Sequence, residues 1–251
     1  MISGITFIHN GVSHDYCFEE SIRSMLGVCN EVICVEASST DETRARLDAL
    51  QQADPRLHIF SAPWSPAPLV QATQTDWTMD LGNLARSYAR YPYIAYVQAD
   101  EVLHEADYPL ILAASKTRHP ITLNRYNFWM DPWHLIPHRR VCGHWLCRLA
   151  PRSTPVVWGS ELLEPTGSLP STIGLYHYGF LRHGPHFRRK AEVMLQNFVG
   201  QVDPVIYEVE KEGIQAMRRC WPASEDLPFT GTHPALAHQW LRERGYNPTQ
   251  P

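Results

Sequence analysis

The chain of 251 residues lacks several features that would place it in a class at once. No apolar stretch approaches the roughly 20 residues of a membrane-spanning helix, and the opening Met1-Ile2-Ser3-Gly4 has neither the basic start nor the apolar core of a signal peptide, so a cytoplasmic protein is expected. No Gly-x-Gly-x-x-Gly is present, which argues against dinucleotide-dependent oxidoreduction. The turn His9-Asn10-Gly11-Val12-Ser13 supplies no glycine-rich phosphate loop, which argues against a sugar-1-phosphate nucleotidyltransferase. There is no internal repeat and no low-complexity tract. Cysteine is sparse and scattered: Cys17, Cys29, Cys34, Cys142, Cys147 and Cys220 read as reduced, buried thiols. A zinc site is not expected, because Cys34 lies inside an apolar run.

What is present is globular composition, 44% hydrophobic and 19% charged, of a size ordinary for one α/β domain with elaborations. The net charge of −4 is uneven: residues 1–117 carry −8, residues 118–190 carry +7, and residues 191–251 carry −3. The basic middle also holds seven of the thirteen histidines; either a surface there attracts an anionic partner, a diphosphate or a polyanionic acceptor, or the charges solvate several separate faces.

Periodicity sets the order of elements. Strands are expected at Ile2 to His9, Glu31 to Glu36, His58 to Phe60 and Tyr93 to Gln98. Helices are expected at Asp15 to Leu26, after Ser39-Thr40-Asp41 (with Ser39 or Thr40 as N-cap), at Asp76 to Arg90 and at Glu105 to Thr117. Such alternation predicts a mostly parallel sheet with right-handed crossovers. Ser61 to Thr75 reads as a surface loop. A mixed extension follows: a strand at Ile121 to Trp129, a loop at Pro132 to Arg140, and strands at Trp145 to Leu149, Pro155 to Trp158 and, last, Leu175 to Tyr178. Helices are expected at Phe187 to Phe198, Val205 to Cys220 and His233 to Arg244.

Two strands end in acid. Glu31-Val32-Ile33-Cys34-Val35-Glu36 leads into Ala37-Ser38-Ser39-Thr40-Asp41, and Tyr93-Ile94-Ala95-Tyr96-Val97 ends in Gln98-Ala99-Asp100-Glu101. Carboxylates at the carboxyl ends of parallel strands stand where open α/β sheets bind ligands, so one shared crevice is expected. With Asn10-Gly11 after the first strand, this order resembles the nucleotide-sugar half of family 2 glycosyltransferases with the GT-A fold. Arg148-Leu149, Val157-Trp158-Gly159-Ser160-Glu161 and Tyr176-His177-Tyr178-Gly179 are similar to motifs of the lipopolysaccharide core glucosyltransferase-like branch.

The resemblance implies a GT-A-like α/β fold: a mostly parallel central sheet flanked by helices, a mixed acceptor-side extension and C-terminal helices. Residues 1–190 would form the catalytic domain, 1–117 binding the nucleotide sugar and 118–190 facing the acceptor, with 191–251 as a helical extension. The activity implied is metal-dependent transfer of a sugar from a nucleoside diphosphate sugar to a hydroxyl acceptor, with inversion. Asp100 falls on the acid that holds Mn²⁺ or Mg²⁺ against the donor phosphates, and His177 stands near that metal. Glu36, Asn10, Asp41 and Gln98 fall on the nucleoside side, Asp41 reading foremost as an organiser of its loop and helix start. Glu161 would be the base near the acceptor hydroxyl. Asp131, within the aromatic cluster Tyr126, Phe128, Trp129 and Trp133, is the alternative base, and Arg182, Arg188, Arg189 and Lys190 are candidate phosphate contacts. Gln98 and Ser160 depart from the family's Asp and His, which keeps a weakened nucleotide- or glycan-binding module in view. A glycosyltransferase acting on modified nucleic acid is a further alternative.

Overall fold

The computed structural model describes residues 1–64, 76–129, 131–136, 145–157, 162–163, 166–181, 185–186 and 227–249. The frame is a sheet whose first half is built from β1 (Ile2–Ile8), β2 (Glu31–Glu36), β3 (Leu57–Ser61) and β4 (Tyr93–Tyr96). These four run parallel in the order β4-β1-β2-β3. β1 thus lies between β2 and β4, and the crevice at its carboxyl end is the point where strand order reverses.

All six residues of β2 are buried, as a strand covered on both faces requires. Its alternate side chains feed two cores. Val32 and Cys34 pack with Phe18, Ile22 and Met25 of α1 (Phe18–Leu26), Leu47 and Leu50 of α2 (Thr43–Ala53) and Ile111 of α4 (Tyr108–Thr117). Ile33 and Val35 face the other way, toward Leu81 and Ala85 of α3 (Asp76–Tyr88).

Beyond β4 the sheet becomes mixed. β8 (Trp145–Pro151) runs antiparallel to both β4 and β6 (Ile121–Trp129), and β7 (Asp131–Leu135) and β12 (Leu227–Pro228) extend the edge. β11 (Leu169–Phe180) pairs parallel with β6 and antiparallel with the short β5 (Glu101–Leu103). β9 (Val156–Val157) and β10 (Leu162–Leu163) make a separate two-stranded ribbon. A third core of aromatic residues, Phe128, Tyr176, Tyr178, Phe229 and Trp240, joins this half to the C-terminal segment and its helix α5 (Ala237–Glu243). There His233 Nε2 donates to the Pro132 carbonyl at 2.8 Å, which leaves Nδ1 to accept from the Tyr178 hydroxyl at 2.9 Å. Arg244 pairs with Asp15 and stacks on Trp240, so the same segment also grips the loop after β1.

The α/β architecture, parallel half and mixed extension, is the one expected. Several local expectations are corrected. Pro132 to Leu135 belongs to β7 rather than a loop, because Pro132 is only its second residue, where a missing N–H is tolerated. Glu101–Leu103 is a strand, and α4 begins only at Tyr108 after a 3₁₀ turn at Glu105–Asp107, in which the Ala106 N–H donates to His104 Nδ1. β11 runs twelve residues, and β12 rather than Leu175 to Tyr178 is the last strand. The strand through Gln98 stops at Tyr96, and α5 is shorter than His233 to Arg244. The helices expected at Phe187 to Phe198 and Val205 to Cys220 lie outside the described residues. Among the described residues no helix is long and apolar enough to cross a membrane.

Candidate active site at the carboxyl ends of the central strands

Two loops meet at the end of β1. Asn10 adopts the left-handed conformation (φ 49°) and binds the loop after β2 from both ends: its N–H donates to Ser39 Oγ at 2.9 Å and its Oδ1 accepts from Thr40 N at 2.7 Å. Asn10 Nδ2 donates to His9 Nε2 at 3.0 Å, so His9 Nδ1 donates to the Ala37 carbonyl at 2.6 Å, while the His9 ring stacks on Trp64 at 3.9 Å. Burial pushes the His9 imidazole below its ordinary value.

Glu36 is buried, and its Oε1 accepts from Ser39 N at 2.6 Å. Asp41 closes the junction from below. Its Oδ2 accepts from Ser13 N at 2.7 Å, and its Oδ1 accepts from Thr43 N at 3.0 Å and Thr43 Oγ1 at 2.5 Å. Burial alone would raise the Asp41 carboxyl, but the bonds from Thr43 and Ser13 hold it below the usual carboxylate range. Asp41, and not Ser39 or Thr40, therefore meets the first free N–H of α2, because those two are engaged with Asn10.

The second acidic end is arranged differently. After β4 the chain turns through Gln98 and Asp100, closed by Glu101 N donating to the Gln98 carbonyl at 3.1 Å. Glu101 is fully buried: Oε2 accepts from Gln98 N at 2.9 Å, and Oε1 lies 2.7 Å from Arg148 Nη2 and 3.0 Å from Arg125 Nε. Arg148 is itself fully buried, over the Tyr96 ring, and Arg125 Nη2 lies 3.4 Å from Gln98 Oε1. This triad holds the turn that presents Asp100, so Glu101 is structural and is not available as a base beside a metal.

β11 brings the partner of Asp100. Its antiparallel register with β5 sets His177 opposite Glu101, Tyr178 N donates to the Asp100 carbonyl at 2.9 Å, and His177 Nε2 lies 3.5 Å from Asp100 Oδ2. Gly179 makes this approach possible. A Cβ there would stand 2.5 Å from His177 Nε2 and 2.7 Å from Asp100 Oδ2. Burial, with the Arg125 guanidinium nearby, pushes the His177 imidazole down, so the ring is neutral near pH 7 despite Asp100. Asp100 precedes a strand and not a helix, so it is no helix cap.

A carboxylate and a neutral imidazole facing one gap suit a divalent cation that takes its remaining ligands from water and phosphate. Among the described residues no group of three or more His, Cys, Asp or Glu is gathered as a cluster, so such an ion would depend on ligands beyond this pair.

Of the remaining expected residues, Asp131 opens β7, where its carboxylate accepts from Trp133 N at 2.7 Å and pairs with His134 Nδ1 at 2.8 Å. The aromatic residues around it are core: Phe128 and Trp129 are buried, and Tyr126 and Trp133 pack against the aromatic cluster. Glu161, Ser160, Arg182, Arg188, Arg189 and Lys190 lie outside the described residues. Arg125, Asn127 and Gly179 were not read from the sequence as site residues. The signal for two of them was the period-two series Leu123, Arg125, Asn127, Trp129, all buried on β6, which sets two polar side chains on an inward face.

No family model and no curated protein sequence matches the chain. Solved structures resemble it in chain course. Mannosyltransferase PcManGT from Pyrobaculum calidifontis, in complex with GDP-Man and Mn²⁺, aligns over 97% of this chain and 72% of that one, with 14% identity and a TM-score of 0.47. S. aureus TarS 1-349 in complex with UDP-GlcNAc aligns over 89% and 73%, with 12% identity and a TM-score of 0.46. Glucosyl-3-phosphoglycerate synthase from Mycobacterium tuberculosis, in complex with Mn²⁺, UDP and glucosyl-3-phosphoglycerate, aligns over 82% of each chain, with 14% identity and a TM-score of 0.44. Likenesses of this depth carry no inference about the chemistry of this chain.

Proposed function

We propose that the chain is a metal-dependent glycosyltransferase that moves a sugar from a nucleoside diphosphate sugar to a hydroxyl acceptor, with inversion at the anomeric carbon. The observation that carries the reading is the Asp100–His177 pair, closed over Gly179 at the point where strand order reverses. The motif order also supports it, including the likeness to the lipopolysaccharide core glucosyltransferase-like branch.

In this reading Asp100 and His177 hold Mn²⁺ or Mg²⁺, and the bound cation supplies positive charge to the leaving diphosphate. Glu36 and Asn10 shape the nucleoside side, with Asp41 fixing their loops and Gln98 beside the ribose. Arg182 and Lys190 contact phosphate. Glu161 takes the proton from the acceptor hydroxyl, with Asp131 as the second candidate, and the protein works in the cytoplasm. The acceptor is a glycan or another hydroxyl compound, and the basic middle segment favours an anionic one, nucleic acid included.

One observation favours a second reading. Gln98, a neutral amide in place of an acid, is engaged by Arg125, as suits a module that binds nucleotide or glycan without transfer.

Titration of UDP and GDP with and without Mn²⁺ tests the metal site. Asp100→Asn should lose at least about 100-fold of metal-dependent affinity at an unchanged melting temperature, since it removes a ligand charge. Full metal-dependent affinity in that variant would remove the assignment. Donor hydrolysis or transfer then separates enzyme from binder: Glu161→Gln should keep binding but lower turnover by about 10²- to 10⁴-fold. If Asp131 is the base, that pattern moves to Asp131→Asn.

A further inference from the structure

Asn127 has no account in the machinery described so far. It stands on β6 opposite His177 of β11, which stands opposite Glu101 of β5. Paired positions project to one side of a sheet, so Glu101, His177 and Asn127 form a row, with Arg125 two residues back on the same side. Asn127 is 1% exposed, yet among the described residues neither its Nδ2 nor its Oδ1 has a hydrogen-bond partner. The same is true of His177 Nδ1.

A buried amide with both ends unmet costs stability, and an apolar side chain of similar size would avoid that cost. Such a group calls for a reason, and a ligand that completes the bonding supplies one here. The orphaned atoms say which kind. Nδ2 donates, Oδ1 accepts, and Nδ1, which carries the ring proton when Nε2 holds a cation, donates. A phosphate oxygen near neutral pH only accepts and would leave Oδ1 unmet, whereas a hydroxyl both donates and accepts.

We propose that Asn127, together with His177 Nδ1, binds a hydroxyl of the sugar being transferred, so that Asn127 sets the preference for the sugar and not for the nucleotide. This rests on the reading of Asp100 and His177 as the site of the donor diphosphate, which places the sugar beside the row.

The test is calorimetric titration in Mn²⁺ of UDP-glucose, UDP-N-acetylglucosamine and GDP-mannose, each beside its bare nucleoside diphosphate. Wild type is compared with Asn127→Leu and with Asn127→Ala, which adds no bulk. Wild type should bind one sugar nucleotide more tightly than its bare diphosphate. Both variants should reduce that preference about tenfold, with diphosphate affinity within twofold of wild type. The melting temperature of Asn127→Leu should be unchanged or higher. The proposal is overturned if sugar nucleotide and diphosphate weaken together, if neither changes, if wild type shows no preference for a sugar nucleotide, or if both variants melt several degrees lower. A wild type that binds none of the probes would defeat the glycosyltransferase reading, and this inference with it. Normal wild-type binding with unaltered variants would defeat the inference alone.

Discussion

The loops at the carboxyl ends of β1 and β2 and the row across β5, β11 and β6 treat their polar groups in opposite ways. In the first set, Asn10, Glu36 and Asp41 spend their side chains on their own loops: Ser39, Thr40, Ser13 and Thr43 occupy them within 3.1 Å. In the second set, Glu101 gathers two guanidiniums in the interior, and the rest of the row keeps His177 Nδ1 and both ends of the Asn127 amide unmet among the described residues. Satisfied networks fix a shape, and unmet buried groups are costly exceptions that call for a reason. The first set therefore fixes the loops at the strand ends, and under the proposed function the second supplies the groups left for a ligand.

Substitutions can break or sharpen this contrast. The largest effect is expected at Glu101. Glu101→Gln leaves Arg125 and Arg148 buried without their counter-charge, which should cost roughly 3–5 kcal/mol in a denaturant titration. A variant of wild-type stability that fails only in nucleotide binding would show that the triad serves the ligand and not the fold.

Next comes the clamp at His233, whose imidazole is pushed by burial from 6.5 to about 4, with the Pro132 carbonyl opposing and His238 and His104 adding to the shift. The fold favours the neutral ring, so this contribution is intact above pH 6.5 and is lost as pH falls toward about 4. Wild type should lose roughly 3 kcal/mol through this group over that window. His233→Gln should flatten the loss; an equal loss in that variant would exclude His233 as its source.

The smallest effect is expected in the first set. Asp41→Ala should cost about 1–2 kcal/mol of stability, the scale of a helix-start and loop anchor. Because the Asp41 carboxyl titrates below its ordinary 3.8 in the folded protein, its contribution is full above that pH and is lost as pH falls through the lowered value. The difference between wild type and Asp41→Ala should therefore close only in strong acid. If Asp41→Ala kept wild-type stability and lost nucleotide binding, the contrast between the two sets would fail.

Much of the frame was legible because it depends on local pattern. The bounds expected for Glu31 to Glu36 and Ile121 to Trp129 coincide with β2 and β6, since a covered strand and a period-two strand each leave a direct signature. Pro132 to Leu135, within the loop expected at Pro132 to Arg140, reads as loop because a proline stands beside polar residues, whereas pairing with β6 and β12 makes it part of a strand. Asp100 and Glu101 are neighbours in sequence with the same chemistry, and nothing local separates them. The turn after β4 sends one toward His177 and the other into the interior with Arg125 and Arg148.

By itself the sequence determined the alternation of strands and helices, the two acidic strand ends and the motif order, because each is written within a few consecutive residues. Only the tertiary structure decided which acid is committed to the fold and which faces a partner. It also decided that Gly179 is needed for the space its missing Cβ leaves, and that Asn127, among the described residues, stands unmet beside His177. The physical reason is that burial and hydrogen-bond satisfaction belong to pairs of groups brought together from distant parts of the chain, here by the pairing of β11 with β5 and β6.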